Sequence, residues 1–278
     1  MHGLRVLTVL SAGLVLIVAA AAQAKVAPIF ALASQKSHPD KIKTFGYLLG
    51  GVENGRYVSD EKLAETMKEP QTYTFYGFLT GQTGAGTLGE LRPDDVCPEN
   101  LDVRLPTAFT ADLAVGAAAG WPVVPRVAKR LLRYSAADRR AVADTLKKLG
   151  LRKSDVVIKE AFRVDLDGNG TDEIVLTAEK IYRIDWSLAG LRSYSFVLIR
   201  QRAGAKWRNI LVHETYRKKK DDVFWGEYSV WSIGDLDGDG RMELVVGIGG
   251  WEEAWIKTFA YRDGKVTEIW ELAHYCGV

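Results

Sequence analysis

The sequence predicts a mainly β protein with a smaller α+β part on its N-terminal side. Two observations carry this. Short apolar runs rich in Val, Ile, Tyr and Trp, bounded by Gly, Asp and Asn, fill the second half of the chain, the pattern of strands joined by tight turns. An acidic, glycine-spaced segment occurs twice, 70 residues apart and each time between two such runs, so that half rests on an internal repeat. With 278 residues, 47% of them hydrophobic, the chain can bury an ordinary core as one large domain or two small ones.

The opening, MHGLRVLTVLSAGLVLIVAAAAQAK, places Arg5 ahead of an apolar run that ends in Ala22, Gln23 and Ala24. This is the layout of a secretory signal peptide with small residues at the cleavage point. Residues 1–24 are expected to be removed, leaving Lys25 first in a secreted or periplasmic protein. An uncleaved anchor needs about 20 apolar residues; the run from Val6 to Ala22 is a little short, so no stable membrane anchor is expected after cleavage. Loss of Arg5 leaves 36 basic residues against 35 acidic, and this balance argues against nucleic acid as a partner. The basic run Tyr216-Arg217-Lys218-Lys219-Lys220 is followed at once by Asp221 and Asp222 and reads as a solvated loop. The two cysteines, Cys97 and Cys276, either form a disulfide or stay as buried thiols; an even number in an oxidising compartment favours the bridge.

Residues 25–150 form the N-terminal α+β region. Within it residues 47–52 and 73–79 read as extended, Glu53-Asn54-Gly55 as a tight turn and residues 60–67 as a short helix. The segment GQTGAGTLGE, residues 81–90, lacks the Lys-Ser/Thr of a phosphate-binding loop and is expected to be a flexible hairpin connection. Residues 106–125, rich in Ala, Gly and Pro, read as a linker or covering segment. A helix follows: Ser135 and Asp138 make a capping box, Val142, Leu146 and Leu149 share a face, and Gly150 ends it. Residues 151–278 are the C-terminal β region, with two four-strand series at about 156–213 and 228–272. Turns at Ala203-Gly204-Ala205 and Asp263-Gly264 divide the later strand pair of each series.

The repeated acidic segments are VDLDGNGTDEIVL, residues 164–176, and GDLDGDGRMELVVG, residues 234–247. Asp165, Asp167, Asn169 and Glu173 in the first stand where Asp235, Asp237, Asp239 and Glu243 stand in the second. Side-chain oxygens at loop positions one, three, five and nine converge only if the backbone curls tightly, and Gly168, Gly170, Gly238 and Gly240 permit the positive φ this needs. The carbonyls of Thr171 and Arg241, at position seven, can add another oxygen. A shell of hard oxygens without His or Cys suits calcium, with six to eight ligands at about 2.3–2.6 Å. An EF-hand needs a bidentate Glu at position twelve and flanking helices; here position twelve is Leu176 or Val246, and strands flank both loops. A metal-free Gly/Asp turn is the other reading, and recurrence at equivalent places of a repeat favours the metal.

DLDGDGRMELVVG resembles the calcium-binding FG-GAP or VCBS repeat, the blade motif of integrin α-chain propellers. The resemblance implies that each loop joins two antiparallel strands of a blade and holds one calcium ion. It covers residues 158–213 and 228–272. Glu173 and Glu243 replace the family's Asp at position nine, and Asn169 replaces an Asp at position five, which lowers the charge of the first site and is expected to weaken it. A propeller has about four to eight blades. Two copies therefore imply two four-stranded, propeller-blade-like units and not a complete propeller, open, paired, or closed by N-terminal strands.

Neither G-x-S-x-G, nor H-E-x-x-H, nor a Cys-His pair in a known context is present. Glu252 and Glu253, beside Trp251 and Trp255, form either a carboxylate pair in an aromatic pocket or, as adjacent strand residues do, point to opposite faces. The expected function is an exported calcium-binding module with a structural role or a protein or glycan ligand. The alternative is a secreted hydrolase of glycan, ester or peptide substrates, with a site between the N-terminal half and the Glu252 region.

Overall fold

The computed structural model describes residues 26–38, 41–64, 67, 72–87, 91–93, 97, 101–104, 113–117, 121–184, 189–220, 222–223, 226–250 and 253–277. The expected signal peptide, Lys25, Asp221, Trp251 and Glu252 lie outside these residues. Among the described residues the protein is mainly β, in three open antiparallel sheets.

The N-terminal sheet has eight strands. Its spine is the pair β1 (Val26–His38) and β2 (Lys41–Glu53). β2 turns back through Asn54 and Gly55, both at positive φ, into β3 (Arg56–Ser59), the hairpin an Asn-Gly pair favours. The short helix α1 (Asp60–Ala64) follows. The other strands are β4 (Thr72–Gly77), β5 (Gly81–Thr87), β6 (Leu91–Pro93), β7 (Leu101–Arg104) and β8 (Leu113–Ala117), in the order β5-β4-β8-β1-β2-β7-β6. Two expectations are corrected here. Residues 81–87 are no loose connection but a strand paired along β4. Within the supposed linker 106–125, residues 113–117 are a central strand between β1 and β4. In both, the pairing offered by neighbours outweighs a weak intrinsic strand preference.

β9 (Lys129–Arg130) and α2 (Ala136–Leu149) come next. α2 has the expected capping box between Ser135 and Asp138 and stops at Gly150, at φ 81°. Val142 and Leu146 are buried in a small core against the following sheet, and Asp138 is ion-paired with buried Arg200. That sheet contains β10 (Ile158–Val164), β11 (Glu173–Lys180), β12 (Tyr194–Ala203) and β13 (Lys206–Tyr216), with β9 added beside β10. The third sheet repeats the meander in β14 (Glu227–Gly234), β15 (Glu243–Gly249), β16 (Glu253–Arg262) and β17 (Lys265–Gly277).

The offset of 70 holds through the first two strands of each series and the acidic loop between them. It then falls to 59, because the connection after β11 is longer than that after β15: Ala203 pairs with Lys206 at the end of one hairpin as Arg262 pairs with Lys265 at the end of the other. The main core gathers residues of all three sheets, among them Ile29, Val115, Phe162 and Val246, and β17 packs on β2 and β3. Cys97 and Cys276 form a disulfide across 179 residues of sequence, tying the N-terminal part to β17.

Candidate metal centre

Each acidic loop connects the first two strands of its meander, and the two share one hydrogen-bond pattern. Asp165 Oδ1 accepts from Gly168 N at 2.8 Å and Oδ2 from Gly170 N at 2.9 Å; Asp235 does the same with Gly238 at 2.7 Å and Gly240 at 3.0 Å. Asp167 and Asp237 accept from the N–H of residues 169 and 239. Asn169 and Asp239 accept from those of Thr171 and Arg241, at 2.8 Å in both. Glu173 reaches back to Leu166 N at 2.9 Å, and Glu243 to Leu236 N at 2.8 Å. Gly168, Gly170, Gly238 and Gly240 all have φ between 75° and 84°, so the curl demanded by the spacing is the curl observed.

The carboxylates converge. Asp165, Asp167 and Glu173 bring oxygens within 4.8 Å of one another, and so do Asp235, Asp237 and Asp239; either group could hold a metal ion. Glu173 and Glu243 are 1% and 0% exposed. Burial pushes the Glu173 carboxyl up to about 7, with the charges of Asp167 and Asp165 adding to the effect. Burial and then Asp237 push Glu243 up to about 8, against the pull of Arg262. Asp235 is raised as well, first by burial and then by Asp237 and Asp239. Acids packed so tightly that ionising them is unfavourable form the donor set a cation relieves.

The two loops differ in what faces them. Arg262 Nη2 lies 2.6 Å from Glu243 Oε1, 3.1 Å from Asp239 Oδ2 and 3.6 Å from Asp237 Oδ2. One guanidinium thus touches three of the four expected acidic ligands; of these, Glu243 is not part of the converging triad of aspartates. Burial works against its charge, yet Glu243, and then Asp239 and Asp237, hold the Arg262 pKa above its ordinary value. Strand register explains the asymmetry: Leu244 pairs with Phe259 as Ile174 pairs with Arg200, so the counterpart of Arg262 in the first meander is Ala203. Charge counting ranks the second loop as the stronger cation site because Asn169 replaces an aspartate; Arg262 cancels that advantage.

A direct backbone bond and neighbours from the preceding chain clamp the loops side by side. Met242 N donates to Leu166 O at 2.8 Å. Arg126 donates from Nε to Asp165 O at 2.6 Å and from Nη2 to Gly240 O at 2.8 Å. Trp121 covers Gly238, where a Cβ would come within 2.9 Å of the indole, and donates from Nε1 to Asp235 O. Tyr57 of β3 donates its hydroxyl to Asp237 Oδ2 at 2.9 Å. Arg126, Trp121 and Tyr57 carry no local signal that marks them as loop partners, since each arrives from a distant segment. Arg262 stood beside the Asp263-Gly264 turn and was findable only by aligning strand registers.

A cleft of about 960 Å³ lies apart from the loops, lined by β10 and β11 of the first meander, by β14–β17 of the second and by Tyr47 of β2. It joins Tyr47 of the N-terminal sheet to Glu179, Glu227, Trp231 and Trp255 of the C-terminal half. No protein-family model, curated protein or solved structure matches this chain.

Proposed function

We propose that this is an exported, calcium-stabilised β module with a binding role, in which calcium rigidifies two inter-strand loops of blade-like units related to FG-GAP or VCBS repeats. The observation that carries the proposal is the recurrence of five equivalent hydrogen bonds in an all-oxygen acidic loop at equivalent places of two four-stranded meanders. A turn stabilised by its own Asp and Asn caps needs no buried glutamate; here each loop adds one, aimed back at the second residue of the loop. In the first loop Asp165, Asp167 and Glu173 would hold the ion, with Asn169 and the Thr171 carbonyl as further donors. In the second, Asp235, Asp237 and Asp239 would hold it once Arg262 moves aside, with Glu243 and the Arg241 carbonyl beside them. Bound calcium neutralises charge and fixes loop geometry; the chain's own residues do the rest, Arg126 and Met242 locking one loop to the other. Thermal melts of the secreted protein with calcium and with chelator test this, and identical melts would end it.

A secreted hydrolase is the second reading. It is favoured by the cleft, which brings the carboxylates of Glu160, Glu179 and Glu227 together with a residue of the N-terminal half. Turnover of a glycan, ester or peptide substrate that is lost in Glu179→Gln would establish it.

A further inference from the structure

The cleft has its own chemistry. Three carboxylates line it, and each has a basic partner: Glu179 with Lys159 at 2.8 Å, Glu227 with Arg183 at 2.9 Å, and Glu160 with Arg130 at 3.2 Å. Of these partners only Lys159 itself lines the cleft, so Glu179 and Lys159 present an acceptor and a donor side by side, while Arg183 and Arg130 offset the charge of the other two carboxylates from outside the lining. Aromatic residues line the same cleft. Tyr47 packs against Trp231, ring centroids 6.4 Å apart, and Trp255 lines the same space. Trp231 is set in place: its Nε1 donates to Ser229 Oγ at 3.1 Å, and its indole lies so close over Gly247 that any Cβ there would collide with it. Next to it, Gly249 lines the cleft with open space above its Cα. The Thr177 hydroxyl, on a side chain 1% exposed, lines the cleft without a hydrogen-bond partner among the described residues.

From these features we infer that the cleft binds a neutral saccharide of about two sugar units. A flat aromatic face takes the C–H face of a pyranose, while the Glu179 carboxylate and Lys159 ammonium offer an acceptor and a donor to neighbouring hydroxyls at once, with Glu160 and Glu227 as further acceptors. A charged ligand is disfavoured, because every charge on the rim already has its counter-charge. The volume lies at the upper end of the range for small-molecule sites, which suits a disaccharide. The inference rests on the binding role proposed above but not on calcium.

The test uses the full secreted chain in calcium, titrated with cellobiose, maltose and N,N′-diacetylchitobiose, and with anionic digalacturonate as contrast, followed by tryptophan fluorescence and calorimetry. At least one neutral disaccharide should give saturable binding. Trp231→Ala should weaken it at least about tenfold, and Gly249→Leu, which fills the cleft without removing any contact, should do the same. Calcium-dependent melts of the same samples show separately whether each variant is folded and whether the loops respond. Absence of binding by all three neutral sugars to folded protein overturns the inference, as does a preference for digalacturonate or binding unchanged in folded Gly249→Leu. Melts without a calcium shift alongside intact sugar binding would instead remove only the calcium proposal.

Discussion

Replacing Arg262 by methionine removes the cation from the second loop while keeping most of the side chain's bulk. Glu243, fully buried, then loses its 2.6 Å partner, and Asp239 and Asp237 lose theirs at 3.1 and 3.6 Å. Deleting one member of a fully buried pair costs about 3–5 kcal/mol; Arg262 is one-quarter exposed, so the low end, about 3 kcal/mol, applies here. For a domain of this size about 1 kcal/mol moves the melting temperature by roughly 2–4 °C, so in chelator the variant should melt on the order of 10 °C below the parent. Calcium at about a hundred times its dissociation constant adds roughly 2.7 kcal/mol per site. In the parent, an ion entering the second loop must displace a guanidinium held by three carboxylates; in the variant it meets them free. The calcium-induced rise in melting temperature should therefore be larger in Arg262→Met than in the parent, and calcium should recover most of the lost stability. Differential scanning calorimetry across a calcium series reads both quantities. An Arg262→Met protein as stable as the parent in chelator, or one no more responsive to calcium, would show that these carboxylates need no cation.

Other outcomes follow from the same geometry. Asp237→Ala removes both a loop ligand and the acceptor of the Tyr57 hydroxyl, so it should lower stability and the calcium response of the second loop; Asp172→Ala, at an exposed loop position, should stay within about 0.5 kcal/mol of the parent by calorimetry. Glu173, raised from an ordinary 4.5 to about 7, holds a proton that the unfolded chain has already lost. Its stabilising effect is complete below pH 4.5 and disappears as pH rises through about 7. In chelator the first loop should thus favour folding more at pH 5 than at pH 8, whereas the calcium increment in melting temperature should be larger at pH 8, where the ion no longer competes with that proton. Reducing the Cys97–Cys276 bridge, which spans 179 residues, should destabilise by at most about 5 kcal/mol on the chain-entropy model, and a melt in reductant measures it.

What could be read from the sequence was local. Ser135 with Asp138, Gly150, Asn54-Gly55 and Asp263-Gly264 each force a conformation through their own backbone or side-chain chemistry, and each appears where expected. The acidic loops were legible for the same reason, since their bonds stay within nine residues. β5 and β8 were not, because GQTGAGT and LAVGA carry little strand preference and become strands through the neighbours that pair with them. The cleft was also hidden. Tyr47, Glu179 and Trp231 come from separate sheets, and only the packing of those sheets brings them together. Arg262 shows the same limit: the repeat was visible, but the change of offset from 70 to 59 within it concealed that Arg262 and Ala203 are counterparts.

Equilibrium dialysis of calcium against the full chain, run beside melts in calcium and in chelator, decides whether the repeated loops are metal sites. Calcium should bind at two sites per chain, the first loop filling at about 10⁻⁴ to 10⁻³ M and the second at higher concentration, with melting temperature rising over the same range. No bound calcium and superimposable melts would mean that GDLDGDGRMELVVG and its partner segment are turns closed by their own carboxylates and by Arg262.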